Sequence, residues 1–161
     1  MIPSIGLKQG ITMSASPPKK LTVSCNQVGK WLLIIGPRSI RYIIMNVIAG
    51  IAEQENVNVL DGGNSPETGD GQFDPYQVGW LLRDKPEAYA RINLAQAANC
   101  HQVLALLEQT PSMPVPFVVL DLLNTFYDHS VKIGERKRLL QGCLENMNRL
   151  EKCAGMPADQ V

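Results

Sequence analysis

The chain has 161 residues, of which 45% are hydrophobic and 19% are charged, and its formal net charge is zero. A chain of this size and composition is expected to form one globular domain with a sizeable core. Zero net charge excludes a strong general attraction to polyanions, although residues 1–52 contain Lys and Arg and no acidic residue. This asymmetry indicates either an anion-binding face or a basic tail with scattered surface charge.

The four cysteines show no C-x-x-C spacing, and the N-terminus lacks the apolar region of a secretory signal. These features predict free thiols, no metal site and an intracellular protein, cytoplasmic or nuclear. The apolar stretch 31–52 is long enough to span a membrane. However, Gly36-Pro37 breaks it and Arg38 and Arg41 lie inside it, so we predict no membrane span.

The N-terminal part of the chain begins with an arm and continues into strand and helix patterns. Residues 1–20 mix Gly, Ser and Pro, which predicts a flexible arm before a domain over 21–161. Residues 21–25 alternate as a short strand does, and the apolar run 30–35 is typical of a buried parallel strand. Residues 39–54 are apolar nearly all round, which predicts a core helix.

A second strand and two short helices are predicted next. Residues 57–60 form another buried strand pattern, followed by a loop rich in Gly, Pro and Asp. Asp74 is placed to cap a helix that begins at Pro75 and runs to about Leu82. Residues 85–89 predict a short helix.

The C-terminal part alternates strand and helix patterns again. Residues 92–95 predict a strand, Cys100–Gln109 an amphipathic helix, and Phe117–Leu120 a central strand that ends at Asp121. Residues 132–154 predict a long helix. Its predicted apolar face consists of Leu139, Leu140, Cys143, Leu144, Met147 and Leu150.

Strands that alternate with helices predict an α/β fold with a mostly parallel sheet. In such sheets ligands bind outside the carboxyl ends of the strands. The segments expected at this edge are 36–41, 61–64 and 121–128. The sequence therefore predicts a site there.

Two N-terminal segments carry a resemblance to a known family. Trp31-Leu-Leu-Ile-Ile-Gly36 is an apolar strand that ends at a glycine, and Val57-Asn-Val-Leu-Asp61-Gly-Gly-Asn64 is followed by Phe73-Asp-Pro-Tyr76. The first resembles the strand that enters the phosphate loop of the RecA-like recombinases, especially those of archaea and eukaryotes. The second is similar to the family's second strand and next helix.

The resemblance continues over roughly residues 28–152. Ile92-Asn-Leu-Ala-Gln-Ala97 with Cys100-His-Gln102 resembles a later family segment. Pro116-Phe-Val-Val-Leu-Asp121-Leu-Leu-Asn-Thr125 resembles the Walker B strand, and Glu135-Arg-Lys-Arg138 is similar to the helix that follows the first DNA-binding loop. The resemblance implies a three-layer P-loop NTPase fold of RecA-like type, reduced in size.

The chain departs from the family where nucleotide chemistry is performed. Counting from Gly36 along G-x-x-x-x-G-K-[ST], Arg41, Tyr42 and Ile43 replace the second Gly, the Lys and the hydroxyl, so apolar bulk is expected in the phosphate site. Gly62 or Gly63 stands where the family has its catalytic Glu. The resemblance therefore implies no catalytic residue, no cofactor and a nucleotide-site relic at Gly36, Arg38, Ser39, Arg41, Tyr42, Ile43, Asp61 and Asp121.

Each charged candidate has two interpretations. Asp61 and Asp121 could be an inherited metal pair or carboxylates that cap and form turns. Several basic residues could contact the nucleic-acid backbone or be solvated surface charges. These basic residues are Arg38, Arg41, Arg136, Lys137 and Arg138.

The resemblance and its departures imply a non-catalytic protein that acts as an accessory or structural partner in DNA recombination or repair. Because the family's sheet continues beyond the residues corresponding to Val161, we expect a homodimer or a complex with another RecA-like protein, and weak DNA binding. One alternative is a nucleotide-binding protein or small enzyme with a non-standard phosphate loop. Another is a regulatory protein-interaction module unrelated to DNA.

Overall fold

A computed structural model describes residues 40–63 and 71–154 of the chain. The predicted arm, the predicted strands 21–25 and 30–35, and the candidate residues Gly36, Arg38 and Ser39 lie outside these ranges. Within them the chain forms five α-helices, one short 3-10 helix and three strands. None of these helices is both long and apolar enough to cross a lipid bilayer.

The helices and strands alternate, and each predicted element in these ranges is present within two residues of its predicted bounds. In chain order they are α1 (Ile40–Ala52), β1 (Val57–Asp61), α2 (Pro75–Leu81), α3 (Pro86–Tyr89), β2 (Ile92–Gln96), α4 (Cys100–Gln109), β3 (Phe117–Leu120), the 3-10 helix Asn124–Tyr127 and α5 (Ile133–Ala154).

The three strands form one open, entirely parallel sheet in the order β2-β1-β3. Val57 of β1 pairs with Ile92 of β2, and Asn58 of β1 pairs with Phe117 of β3. The predicted α/β class with a parallel sheet is confirmed. Within the described residues β1 lies between β2 and β3. The prediction that β3 is a central strand stays a prediction, because the predicted strands 21–25 and 30–35 lie outside the described residues.

Helices cover both faces of the sheet, so the fold has three layers. Alternate side chains of β1 point to opposite faces, as the pleat requires. Val57 and Val59 pack in a core with α1, α2 and α3, whereas Leu60 packs in a second core with α4 and α5.

Local capping signals fix where two helices begin. The Asp74 side chain accepts hydrogen bonds from the backbone N–H groups of Tyr76 and Gln77, both at 3.0 Å, and Pro75 occupies the first turn of α2. Asn99 caps α4 in the same way, through the N–H of Gln102 at 2.9 Å. Both caps satisfy backbone donors that have no partner inside the helix.

The long helix α5 buries one stripe of side chains against α4 and the sheet. Its buried members are spaced three or four residues apart: Leu139, Cys143, Met147 and Leu150. Leu140 is partly buried at the margin of the same core. Leu144 is 49% exposed, so the prediction that it belongs to this face is wrong. It follows Cys143 by one residue, which rotates it about 100° around the helix axis.

Candidate functional site

The carboxyl ends of β1 and β3 bring Asp61 and Asp121 to the same edge of the sheet. Asp61 pairs with Leu120, and the N–H of Gly62 donates to the Leu120 carbonyl oxygen at 2.9 Å. A Cβ atom at position 62 would lie 3.1 Å from the backbone oxygen of Asp121. The glycine therefore lets the two strand ends approach closely, so that Asp61 and Asp121 lie at the same carboxyl edge of the sheet.

Asp61 is completely buried, and backbone groups occupy both of its carboxylate oxygens. Oδ1 accepts from the N–H of Gly63 at 2.9 Å, and Oδ2 accepts from the N–H of Phe73 at 2.8 Å. A Cβ atom at Gly71 would collide with Oδ2, so the neighbouring backbone leaves no room there. This geometry corresponds to the turn-forming interpretation of Asp61.

Arg41 lies in the first turn of α1 and is bound to the segment that follows Asp61 in the chain. Its Nε donates to the carbonyl oxygen of Gln72 at 2.7 Å, and its Nη2 donates to that of Gly71 at 3.2 Å. A planar guanidinium suits such a two-point contact. Arg41 thus connects α1 to the start of the described segment 71–154.

Gln72 extends this contact to the end of β3. Its side-chain Nε2 donates to Oδ2 of Asp121 at 3.4 Å, a long bond. Asn124 donates from Nδ2 to the carbonyl oxygen of Gly63, also at 3.4 Å. Arg41, Asp61, Gln72 and Asp121 therefore form one polar cluster, which we call the carboxyl-edge cluster.

Asp121 is the exposed member of the carboxyl-edge cluster. Its φ of 49° places it in the left-handed region, where Asp is tolerated better than most residues. Partial desolvation of its carboxyl group raises the pKa of Asp121, the nearby charge of Asp61 raises it further, and the hydrogen bond from Gln72 opposes both. Its charged form is consequently less favourable than that of a free aspartate.

Tyr42 and Ile43 occupy neighbouring positions on α1. The backbone oxygen of Tyr42 accepts from Nδ2 of Asn46 at 2.8 Å and from Nε2 of Gln77 at 3.2 Å. Ile43 is 41% exposed. Residues 36–39 of the expected phosphate loop lie outside the described residues, so the expectation that Tyr42 and Ile43 fill a phosphate site stays a prediction.

The remaining basic candidates lie in another layer of the fold. Arg136 of α5 donates from Nη1 to the carbonyl oxygen of Phe126 at 2.9 Å, whereas Lys137 and Arg138 are exposed. Arg41 is on α1, which packs on the opposite face of the sheet from α5. The described basic candidates thus form two separate groups rather than one patch.

An exposed aromatic surface on α2 and α3 was not predicted. Tyr76 is 89% exposed, Trp80 55% and Tyr89 39%. Tyr76, Arg83 and Tyr89 line a shallow groove. The Arg83 guanidinium lies 5.0 Å from the centre of the Trp80 ring. Tyr76 and Trp80 are four residues apart, so they share one helix face. The four-residue spacing in the sequence indicates a shared aromatic face, but it does not indicate whether another part of the chain packs over that face.

Within residues 40–63 and 71–154, no three His, Cys, Asp or Glu side chains lie together in an arrangement that could hold a metal ion. No protein-family model matches the chain, and no curated protein matches it with significant similarity. The interpretation of the carboxyl-edge cluster therefore depends on its own geometry.

Proposed function

We propose that this chain is a non-catalytic α/β protein of RecA-like type, which acts inside the cell as an accessory or structural partner in DNA recombination or repair. It would work by contact with another protein, as a homodimer or as a complex with a RecA-like partner. DNA binding would be weak and secondary.

One observation carries the non-catalytic part of the proposal. Two of the charged side chains expected at the nucleotide site are engaged with the chain's own backbone: Asp61 with Gly63 and Phe73, and Arg41 with Gly71 and Gln72. A catalytic acid, base or phosphate ligand must present its polar atoms to a substrate. A buried carboxylate whose two oxygens already accept N–H groups does not do so.

The recombination part of the proposal rests on the resemblance of residues 28–152. The parallel sheet with helices on both faces is compatible with that resemblance, but many unrelated functions use this architecture. Two features favour a partner protein over a substrate. Asp61 and Arg41 of the carboxyl-edge cluster are bonded within the chain, and aromatic side chains are exposed elsewhere on the surface. Tyr, Trp and Arg are enriched where proteins meet.

Two assays on the full chain test this proposal. Homogeneous protein should show no ATP turnover, and the tagged chain recovered from its native host should carry a recombination or repair protein. Turnover that Asp121→Ala abolishes would contradict the non-catalytic part. Recovery of a partner from an unrelated process would contradict the pathway and favour a regulatory module.

Asp121 favours one alternative function, nucleotide binding with a non-standard phosphate loop. It is exposed and lies at the carboxyl end of a parallel strand, and the side-chain bond that it makes to Gln72 is long. A nucleotide with Mg²⁺ could approach such a carboxylate. Calorimetric titration with Mg²⁺–ATP should give no heat under our proposal. Binding that is lost in Asp121→Asn would support the alternative.

A further inference from the structure

Among residues 40–63 and 71–154, the strand β2 is paired with β1 along one edge and with no strand along the other. The N–H of Val57 donates to the carbonyl of Arg91 at 3.0 Å, and the N–H of Ala97 donates to that of Asp61 at 2.9 Å. These two bonds show which backbone groups are paired: the N–H and C=O groups of the odd-numbered residues of β2 point towards β1. The backbone N–H and C=O groups of Ile92, Leu94 and Gln96 therefore face away from β1.

These outward groups have no backbone partner within residues 40–63 and 71–154. The strand is also accessible, because Leu94 is 41% exposed and Asn93 and Gln96 are exposed. Its five residues, INLAQ, include no charge and no proline. Proteins commonly protect an open edge with Lys, Pro or a bulge, and β2 has none of these.

We propose that β2 pairs antiparallel with β2 of a second copy of this chain, joining two three-stranded sheets into one. This contact would be the interface of the homodimer named under the proposed function, and the inference rests on that proposal. The two-fold axis would run perpendicular to the sheet, between the two Leu94 residues.

The pattern of outward groups is self-complementary when Leu94 lies opposite Leu94 of the second copy. Leu94 would exchange both backbone hydrogen bonds with Leu94 of the second copy, and Ile92 would exchange both with its Gln96. Every outward N–H and C=O of the strand then has a partner, as in any hydrogen-bonded antiparallel pair. If the second strand shifted by one residue, each outward group would lie opposite an odd-numbered residue, whose N–H and C=O groups point towards its own β1.

The side chains also suit self-pairing. Directly opposite residues of an antiparallel pair share one face, so the two exposed Leu94 side chains would contact each other across the axis. No like charges would meet, because the strand is uncharged. Closed two-fold symmetry is the commonest arrangement of identical subunits. These features favour a second copy over an unrelated extended segment.

The test measures self-association of the full chain by sedimentation over a wide concentration range. The wild type should dimerise, and Leu94→Pro should weaken the dimer ~100-fold, since it removes one outward N–H from each copy. Proline is tolerated in an edge strand when its missing N–H faces solvent, so the fold should persist. Leu94→Thr keeps the N–H and is the matched control, with an expected weakening below about 10-fold.

A second set of variants tests the register and does not depend on proline. Leu94→Lys and Leu94→Glu should each weaken self-association, because like charges would meet across the axis, and an equal mixture of the two variants should recover it, because each new cation would face a new carboxylate. Absence of recovery would overturn the Leu94-centred register.

The results separate this inference from the proposed function. A dimer that Leu94→Pro leaves unchanged overturns the β2 contact, while the proposed accessory role stands. A wild-type monomer that co-purifies with a RecA-like partner also overturns self-pairing and leaves the accessory role intact. A monomer without any partner contradicts both.

Discussion

The Asp61 carboxylate accepts a hydrogen bond from the backbone N–H of Phe73, twelve residues further along the chain, at 2.8 Å. The same carboxylate accepts from Gly63 at 2.9 Å. One buried side chain therefore fixes both flanks of the connection between β1 and α2. This places Asp61 among the residues that hold the fold.

We expect Asp61→Ala to lower the free energy of unfolding by about 2–4 kcal/mol. The substitution leaves the N–H groups of Gly63 and Phe73 without their acceptor, and hydrogen bonds to charged groups are the stronger kind. Urea unfolding measures the loss. Asp74→Ala, which removes only a helix cap, is the control and should cost about 1 kcal/mol. A loss at Asp61 no larger than the control would contradict the structural role.

Arg41→Lys should destabilise the chain nearly as much as Arg41→Ala, by about 1–2 kcal/mol. Lys keeps the positive charge but cannot reproduce the guanidinium contact with Gly71 and Gln72. Thermal or urea unfolding of both variants shows whether stability depends on the geometry of the guanidinium contact or only on the positive charge. If Lys restores full stability, charge rather than geometry is what this position requires.

Asp121→Asn should stabilise the chain slightly at neutral pH, by about 0.5 kcal/mol. The folded-state pKa of Asp121 is raised, so its contribution to stability is present below the ordinary value of 3.8 and is lost as pH rises through the folded pKa. Asn removes this titration and tolerates the positive φ. The advantage of the variant should therefore grow with pH in urea unfolding at several pH values.

Asp128→Asn is a control for that experiment with the opposite sign. The side chain and N–H of Ser130 lower the pKa of Asp128, so its contribution is present above the ordinary value and is lost as pH falls through the folded pKa. This variant should therefore lose stability relative to the wild type as pH rises. Parallel pH profiles for the two variants would refute both assignments.

Any DNA affinity on α5 should depend on Lys137 and Arg138 rather than on Arg136. The first two are exposed, whereas Arg136 donates to the Phe126 carbonyl. We expect the double variant Lys137→Ala with Arg138→Ala to weaken binding at low salt and to reduce the salt slope by about 2 for duplex DNA. Lys152→Ala, an exposed charge near the other end of α5, is the control. Salt-independent binding would contradict this prediction.

Local signals in the sequence were sufficient to predict most of the described elements. The Asp74-Pro75 pair defines the start of α2, and Cys100–Gln109 has the predicted bounds of α4. Such signals depend on residues within one or two turns of each other. For that reason they can be read from the sequence without knowledge of the fold.

Contacts between distant segments could not be predicted in the same way. Arg41 meets the carbonyl of Gln72 across 31 positions, and nothing in either local pattern indicates the partner. An apolar run also fits a central strand and an edge strand equally well. That is why the exposure of Leu94 and Leu144 was not foreseen.

The parallel register of the sheet has a consequence for how the chain acquires its fold. Asn58 of β1 must find Phe117 of β3, and no local hairpin can bring them together. Sheets built from such distant pairings fold slowly, because a long loop must close before the contacts form. During synthesis β2 emerges before β3, so one edge of β1 waits unpaired until the later segment leaves the ribosome. Unpaired strand edges of this kind make incompletely folded chains prone to aggregation.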